Sequence, residues 1–142
     1  MLKGIPKNLS PQLLKVLMEM GHGDEVVIAD GNFPAAANAR NLVRCDGLHG
    51  PEILESILKL FPLDTFTETP VALMAVVEGE NSVPEIWGTY KAILNESSAE
   101  NKKVEEVERF AFYERARKAY AIITTSEEAL YANVILRKGV VK

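Results

Sequence analysis

Apolar residues first recur at helical spacing at Leu13, Val16, Leu17 and Met20, behind a Ser10-Pro11 start that supplies an N-cap and a proline at the first helical position. Gly21 is placed to close this helix in a left-handed conformation. The pattern then changes. "EVVIAD" (residues 25–30) is almost continuously apolar, as a strand covered on both faces should be. "NLVRC" (41–45), "VALMAVV" (71–77), "YAIITT" (120–125) and the stretch near "NVILRKG" (133–139) read as further strands, with a short capped turn at Ser126 before the last. Gly50-Pro51 opens a second helix carrying Ile53, Leu54, Ile57, Leu58 and Phe61 on one side. Ser82 and Glu85 have capping-box spacing before a third, which carries Ile86, Trp87, Tyr90 and Ile93. A fourth surrounds "FAFYERARKA". "GNFPAAANA" (31–39) lacks periodicity and reads as a loop, and the polar "NESSAENKK" (95–103) as a surface connection. Alternating strands and helices predict a single-domain three-layer α/β sandwich, with a largely parallel or mixed central sheet and helices on both faces.

Composition narrows the class. At 142 residues the chain is the size of one domain, and no repeat or linker divides it. Lys plus Arg number 16 against 20 for Asp plus Glu, so the net charge of -4 gives no electrostatic reason to expect nucleic acid or an anionic membrane as partner. No apolar run has the length of a membrane span, and "MLKGIPKNLSPQ" lacks a signal-peptide core. The single cysteine, Cys45, reads as a buried reduced thiol, which fits a cytoplasmic location.

Several chemistries lack their motifs. No Cys/His cluster has zinc spacing, and no G-x-G-x-x-G, phosphate loop or G-x-S-x-G is present. Catalysis by this chain would rest on acids, bases and hydrogen bonds, without metal or cofactor. One of the two histidines, His22, stands between Gly21 and Gly23, with Asp30 at the end of the following strand. It either decorates a helix terminus or serves as a proton shuttle, since imidazole can give or accept a proton near neutral pH. His49, in "DGLHGPE", reads as a solvated loop residue. In "ERFAFYERARKAY" a charged amphipathic helix with Glu114 and Lys118 paired would bury Phe110 and Phe112. The same helix puts Arg109 and Tyr113 four apart on one face, a cation and a phenol suited to a polyhydroxylated ligand. Tyr131 and Asn133 alternate toward one side before the last strand, where they either face a pocket or simply form a turn.

"MGHGDEVVIADGNFPA", "RFAFYERARKAYAII" and "YANVILRKG" together resemble the signature blocks of the fucose mutarotase and ribose pyranase family, in order and over nearly the whole chain. "RFAFYERA" is similar to the fucose mutarotase branch. The resemblance implies a cytoplasmic enzyme that interconverts the anomers of a free sugar, L-fucose in this branch, with neither cofactor nor metal. It implies an α/β sandwich assembled into ring-shaped decamers, with active sites at subunit contacts. Carried over residue by residue, the family's catalytic groups fall on His22 and Tyr113. Its sugar-binding groups fall on Asp30, Arg109, Tyr131 and Asn133, with Asp64 in "FPLD" as a further ligand contact. Because neighbouring subunits share pockets, Arg109 and Tyr113 need not serve the same one. The small-residue loop "GNFPAAANAR" departs from the family pattern and bears on sugar preference.

The chemistry so implied is ring opening and reclosure by His22 and Tyr113, with Asp30 also holding the tautomer of His22. Activity is then expected to fall on acidification. Three alternatives remain: the same chemistry on ribose with pyranose–furanose exchange, a non-catalytic sugar-binding accessory of uptake, and a carrier phosphorylated on His22.

Overall fold

The computed structural model describes all residues, Met1–Lys142, and gives the expected three layers. Five helices and six strands follow in the order α1 (Pro11–Glu19), β1 (Glu25–Ala29), α2 (Ala35–Asn38), β2 (Leu42–Cys45), α3 (Gly50–Leu58), β3 (Val71–Met74), α4 (Glu85–Glu96), β4 (Val104–Val107), α5 (Arg109–Lys118), β5 (Ala121–Thr125) and β6 (Val134–Arg137). The strands form one sheet in the order β2-β5-β1-β6-β3-β4. All pairings are parallel except those of β6, which runs antiparallel to both β1 and β3. No helix is long and apolar enough to cross a membrane.

Period-two alternation divides the strands between two cores. Val26 and Ile28 of β1, Leu73 of β3 and Val134 and Leu136 of β6 face a larger core filled by α1, α3 and α4. Val27, Ala29, Ala72 and Ile135 face a smaller one, closed by Phe112 and Ala116 of α5 and Ala35 of α2. Burying both faces explains why the strand sequences are unbroken apolar runs. Cys45 is buried, at 6% exposure.

Local details depart from the sequence reading where tertiary contacts intervene. The segment read as a loop contains the short helix α2, whose Ala35 packs into the smaller core. β3 ends at Met74 rather than continuing to residue 77. The edge strand β4, "VEEV", carries no apolar alternation strong enough to announce itself; its pairing with β3 defines it. Ser82 does not cap α4; its hydroxyl donates to Glu80 at 2.8 Å, and Pro84 stands at the N-cap. Phe61 lies beyond the end of α3 yet is buried. His49 is the N-cap of α3, in a reciprocal capping box with Glu52. On α5, Glu114 pairs with Arg117 at 2.7 Å instead of Lys118, and Phe110 is 67% exposed while Phe112 is fully buried.

The end of α1 also differs. Its C-cap is Met20 in an extended conformation, and the left-handed residue is Gly23, at φ 88°, not Gly21. Gly23 donates its N–H to the Lys138 carbonyl at 2.8 Å, which ties the turn to the end of β6. A Cβ on Gly23 would stand 3.3 Å from the Arg137 guanidinium, whereas one on Gly21 would meet only ordinary contact. Gly23→Ala is therefore expected to cost about 1–2 kcal/mol of stability, and Gly21→Ala well under that. Urea unfolding of the two variants measures the difference.

Candidate functional site

The carboxyl ends of parallel strands are where open α/β sheets place ligands, and a cavity of about 210 Å³ lies there. Asp30 follows β1, Arg109 and Tyr113 stand on the first turns of α5, and Tyr131 and Asn133 precede β6. Five of the residues expected to serve a site thus line one pocket, and Arg109 and Tyr113 share it.

Asp30 is 7% exposed and Asn133 is 4% exposed. They clasp each other: the Asp30 N–H donates to Asn133 Oδ1 at 2.8 Å, and Asn133 Nδ2 donates to Asp30 Oδ2 at 3.1 Å. The Asn32 N–H donates to Asp30 Oδ1 at 2.9 Å. Burial pushes the Asp30 carboxyl above the ordinary aspartate value, and the hydrogen bonds from Asn32, Phe33 and Asn133 only partly offset it. A carboxylate so short of water is a strong acceptor for ligand hydroxyls.

Arg109 Nε lies 3.4 Å from Tyr113 Oη, and its guanidinium stands 5.7 Å from the Tyr113 ring centroid. Phe33, unremarked in the sequence, packs on Tyr113 with centroids 5.4 Å apart. With Met74, Val77 and Leu130 it gives the pocket apolar lining beside its polar groups. Tyr131 has φ 57°, the only positive value outside glycine. Such a conformation costs of order 1–3 kcal/mol for a bulky residue.

His22 and Asp64 are elsewhere. They sit at the amino end of β1, so the strand's five residues, about 16 Å of rise, separate them from the pocket of the same chain. His22 Nε2 lies 3.0 Å from Asp64 Oδ1, and its ring is 44% exposed while Asp64 is 1% exposed. Asp64 also accepts from Arg137 Nε and from the Phe66 N–H, each at 3.0 Å. The residue that fixes the imidazole is therefore Asp64 and not Asp30, because β1 carries Asp30 to the far end of the sheet. The isolated Leu63–Lys138 bridge brings Asp64 to this end of the sheet. Gly139 permits that approach, since a Cβ there would fall 2.7 Å from the Leu63 carbonyl oxygen.

Burial alone would raise the Asp64 carboxyl, but the Phe66 N–H, His22 and Arg137 together hold it below the ordinary aspartate value. It is a carboxylate at neutral pH. In the neutral imidazole this carboxylate favours the tautomer with its proton on Nε2, which leaves Nδ1 as an acceptor. No group of three His, Cys, Asp or Glu side chains converges to hold a metal ion.

Residues 3–141 match the model of the RbsD / FucU transport protein family. A fucose mutarotase of Mus musculus is 48% identical, covering 97% of this chain and 94% of its own. The crystal structure of the fucose mutarotase in complex with L-fucose from Streptococcus pneumoniae superimposes with a TM-score of 0.94 at 53% identity, covering 99% and 100% of the two chains. Bacillus subtilis RbsD complexed with D-ribose is similar at a TM-score of 0.77 and 25% identity, covering both chains fully.

The depressed Asp64 value fixes the sign of a pH effect. Its contribution to stability is fully present above the unfolded aspartate value of ~3.9 and is lost as pH falls through the lower folded value. The melting temperature should fall more steeply on acidification below pH ~4 in the natural chain than in Asp64→Asn, as calorimetry across that range would read.

Proposed function

The chain belongs to the RbsD / FucU family, and from that premise we propose that it is an L-fucose mutarotase, interconverting the α and β anomers by acid–base ring opening and reclosure. The observation that carries this reading is the pocket itself. A buried carboxylate and amide, an arginine and two phenols face a space fit for one monosaccharide. The apolar wall of Phe33, Met74, Val77 and Leu130 suits the methyl that L-fucose carries at C6 in place of a hydroxymethyl. The similarity to a mutarotase solved with L-fucose supports the same assignment.

Opening the ring needs a base to take the proton from the anomeric hydroxyl and an acid to protonate the ring oxygen. The C1–O5 bond then breaks, the aldehyde turns about C1–C2, and closure on the other face reverses both transfers. Tyr113 supplies one of these groups from within the pocket. The other is His22 of the partner subunit, whose Nδ1 is free because Asp64 occupies Nε2. Asp30, Arg109, Tyr131 and Asn133 hold the remaining hydroxyls. Positioned acid–base groups contribute about 10²–10⁴-fold, enough for a reaction that already proceeds in water.

The length of β1 supports sharing the site between copies, because it keeps imidazole and phenol of one chain at opposite ends of the sheet. Apolar residues left exposed beside each half, Phe66 near His22 and Phe110 and Leu130 near the pocket, suit burial between copies. A closed ring of such heterologous contacts would complete every site at once, and the family resemblance points to ten copies.

Saturation-transfer NMR on an anomeric proton of L-fucose tests the reaction. Exchange between the α and β signals should appear with the protein and return to the rate in water with His22→Ala; D-ribose should exchange more slowly. Asp64→Asn, which can donate to Nε2 and so force the proton onto Nδ1, should lower kcat by about 10²–10⁴-fold. Equal mixtures of His22→Ala and Tyr113→Phe chains, each inactive alone, should regain about a quarter of the natural activity once reassembled, since random pairing restores that share of two-chain sites. Absence of any recovery would refute the shared site.

A further inference from the structure

Tyr131 lines the pocket in a conformation that L residues avoid, because Cβ crowds the following carbonyl. Something must hold it there. The Tyr131 carbonyl accepts a hydrogen bond from Trp87 Nε1 at 2.8 Å, and the next carbonyl, of Ala132, accepts one from Tyr90 Oη at 2.9 Å. Both donors project from α4, which packs on the opposite face of the sheet from Arg109 and Tyr113. They are three residues apart, so they share one helix face. Both are buried, and neither lines the pocket. Gly50, at the start of α3, gives the Tyr90 hydroxyl its space, since any Cβ there would overlap it.

We propose that Trp87 and Tyr90 are positioning residues that clamp the Tyr131–Ala132 backbone, and thereby set the Tyr131 ring and the Asn133 amide for sugar binding, an inference that rests on the monosaccharide reading of the pocket. Removing a donor leaves a backbone carbonyl without its partner and frees Tyr131 to relax to negative φ. The loss then falls on binding. Proton transfer is spared, because Tyr113 is carried by α5 on the other side of the sheet.

Trp87→Phe keeps an aromatic ring in the core and deletes only the N–H. Its KM for L-fucose should rise about tenfold, the scale of one hydrogen bond, with kcat within about twofold. Tyr90→Phe should move KM in the same direction. In Tyr131→Gly, where glycine takes a positive φ without support, adding Trp87→Phe should cost no further affinity. Trp87 is also the single tryptophan, so its indole N–H gives one resonance in ¹⁵N-labelled protein. That resonance should shift on titration with L-fucose. A Trp87→Phe protein that melts earlier but keeps its KM overturns the clamp, as does an equal KM rise in the Tyr131→Gly background. A crystal structure of Trp87→Phe without sugar provides the independent reading. Tyr131 at negative φ supports the clamp, and Tyr131 still left-handed overturns it, even if the natural protein fails to exchange the anomers.

Discussion

β6 is the one strand that runs against the others, and the pocket and the His22–Asp64 pair hang from its two ends. Wedged between β1 and β3, it pairs Val134 with Ile28 at one end and Arg137 with Glu25 at the other. Its antiparallel sense brings Asn133 to the carboxyl end of β1, where it clasps Asp30. The same sense brings Arg137 to the amino end, where it pairs with Asp64. A parallel strand in this slot would exchange the two, leaving each buried carboxylate with the wrong partner. Register matters as much as direction. A slip by one residue would turn Ile135 toward the larger core and Val134 and Leu136 toward the smaller one, so hydrophobic packing holds the functional ends in place.

The two aspartates show how environment separates one residue type into two roles. Asp30 faces an amide and backbone N–H groups, all neutral, and burial wins: its carboxyl is pushed up, so ionising it opposes folding. Asp64 faces a guanidinium, an imidazole and an N–H, and these outweigh burial: its carboxyl is held down, so ionising it favours folding. The first is left with acceptor capacity for a ligand. The second is committed to the protein and serves the histidine. Residue identity alone does not distinguish the pair; their partners, at sequence separations of 103 for Asp30–Asn133 and 42 for His22–Asp64, do.

That limit describes what the sequence could disclose. Runs such as "EVVIAD" announced the buried strands, because a strand covered on both faces has no polar positions to break it. The pairing of Arg109 with Tyr113 was legible too, since it depends only on helical geometry. What was not legible depends on contacts distant in sequence. The charged β4 exists because β3 offers it an edge. Gly23 rather than Gly21 is left-handed because Lys138 fixes the turn. Asp30 follows His22 by eight residues, yet those residues run the length of β1, so the expected Asp30 contact to the imidazole is absent and Asp64 takes its place. The Trp87 and Tyr90 hydrogen bonds left no trace at all, as both side chains satisfied the apolar stripe expected of α4.

Placing acid and base at opposite ends of a strand has a consequence for how the proposed reaction is built. Within one chain the separation is set by five residues of extended backbone and no side-chain rotation closes it. Each group can therefore be held rigidly by its own surroundings, His22 by Asp64 and Tyr113 by Phe33 and Arg109. Neither pulls the other out of place before the copies meet. A proton pair assembled in a single chain would risk satisfying itself, phenol to imidazole, and the sugar would have to break that bond first. In the proposed shared site, division between copies would leave both groups open to the ligand, with the subunit contact fixing the distance across it.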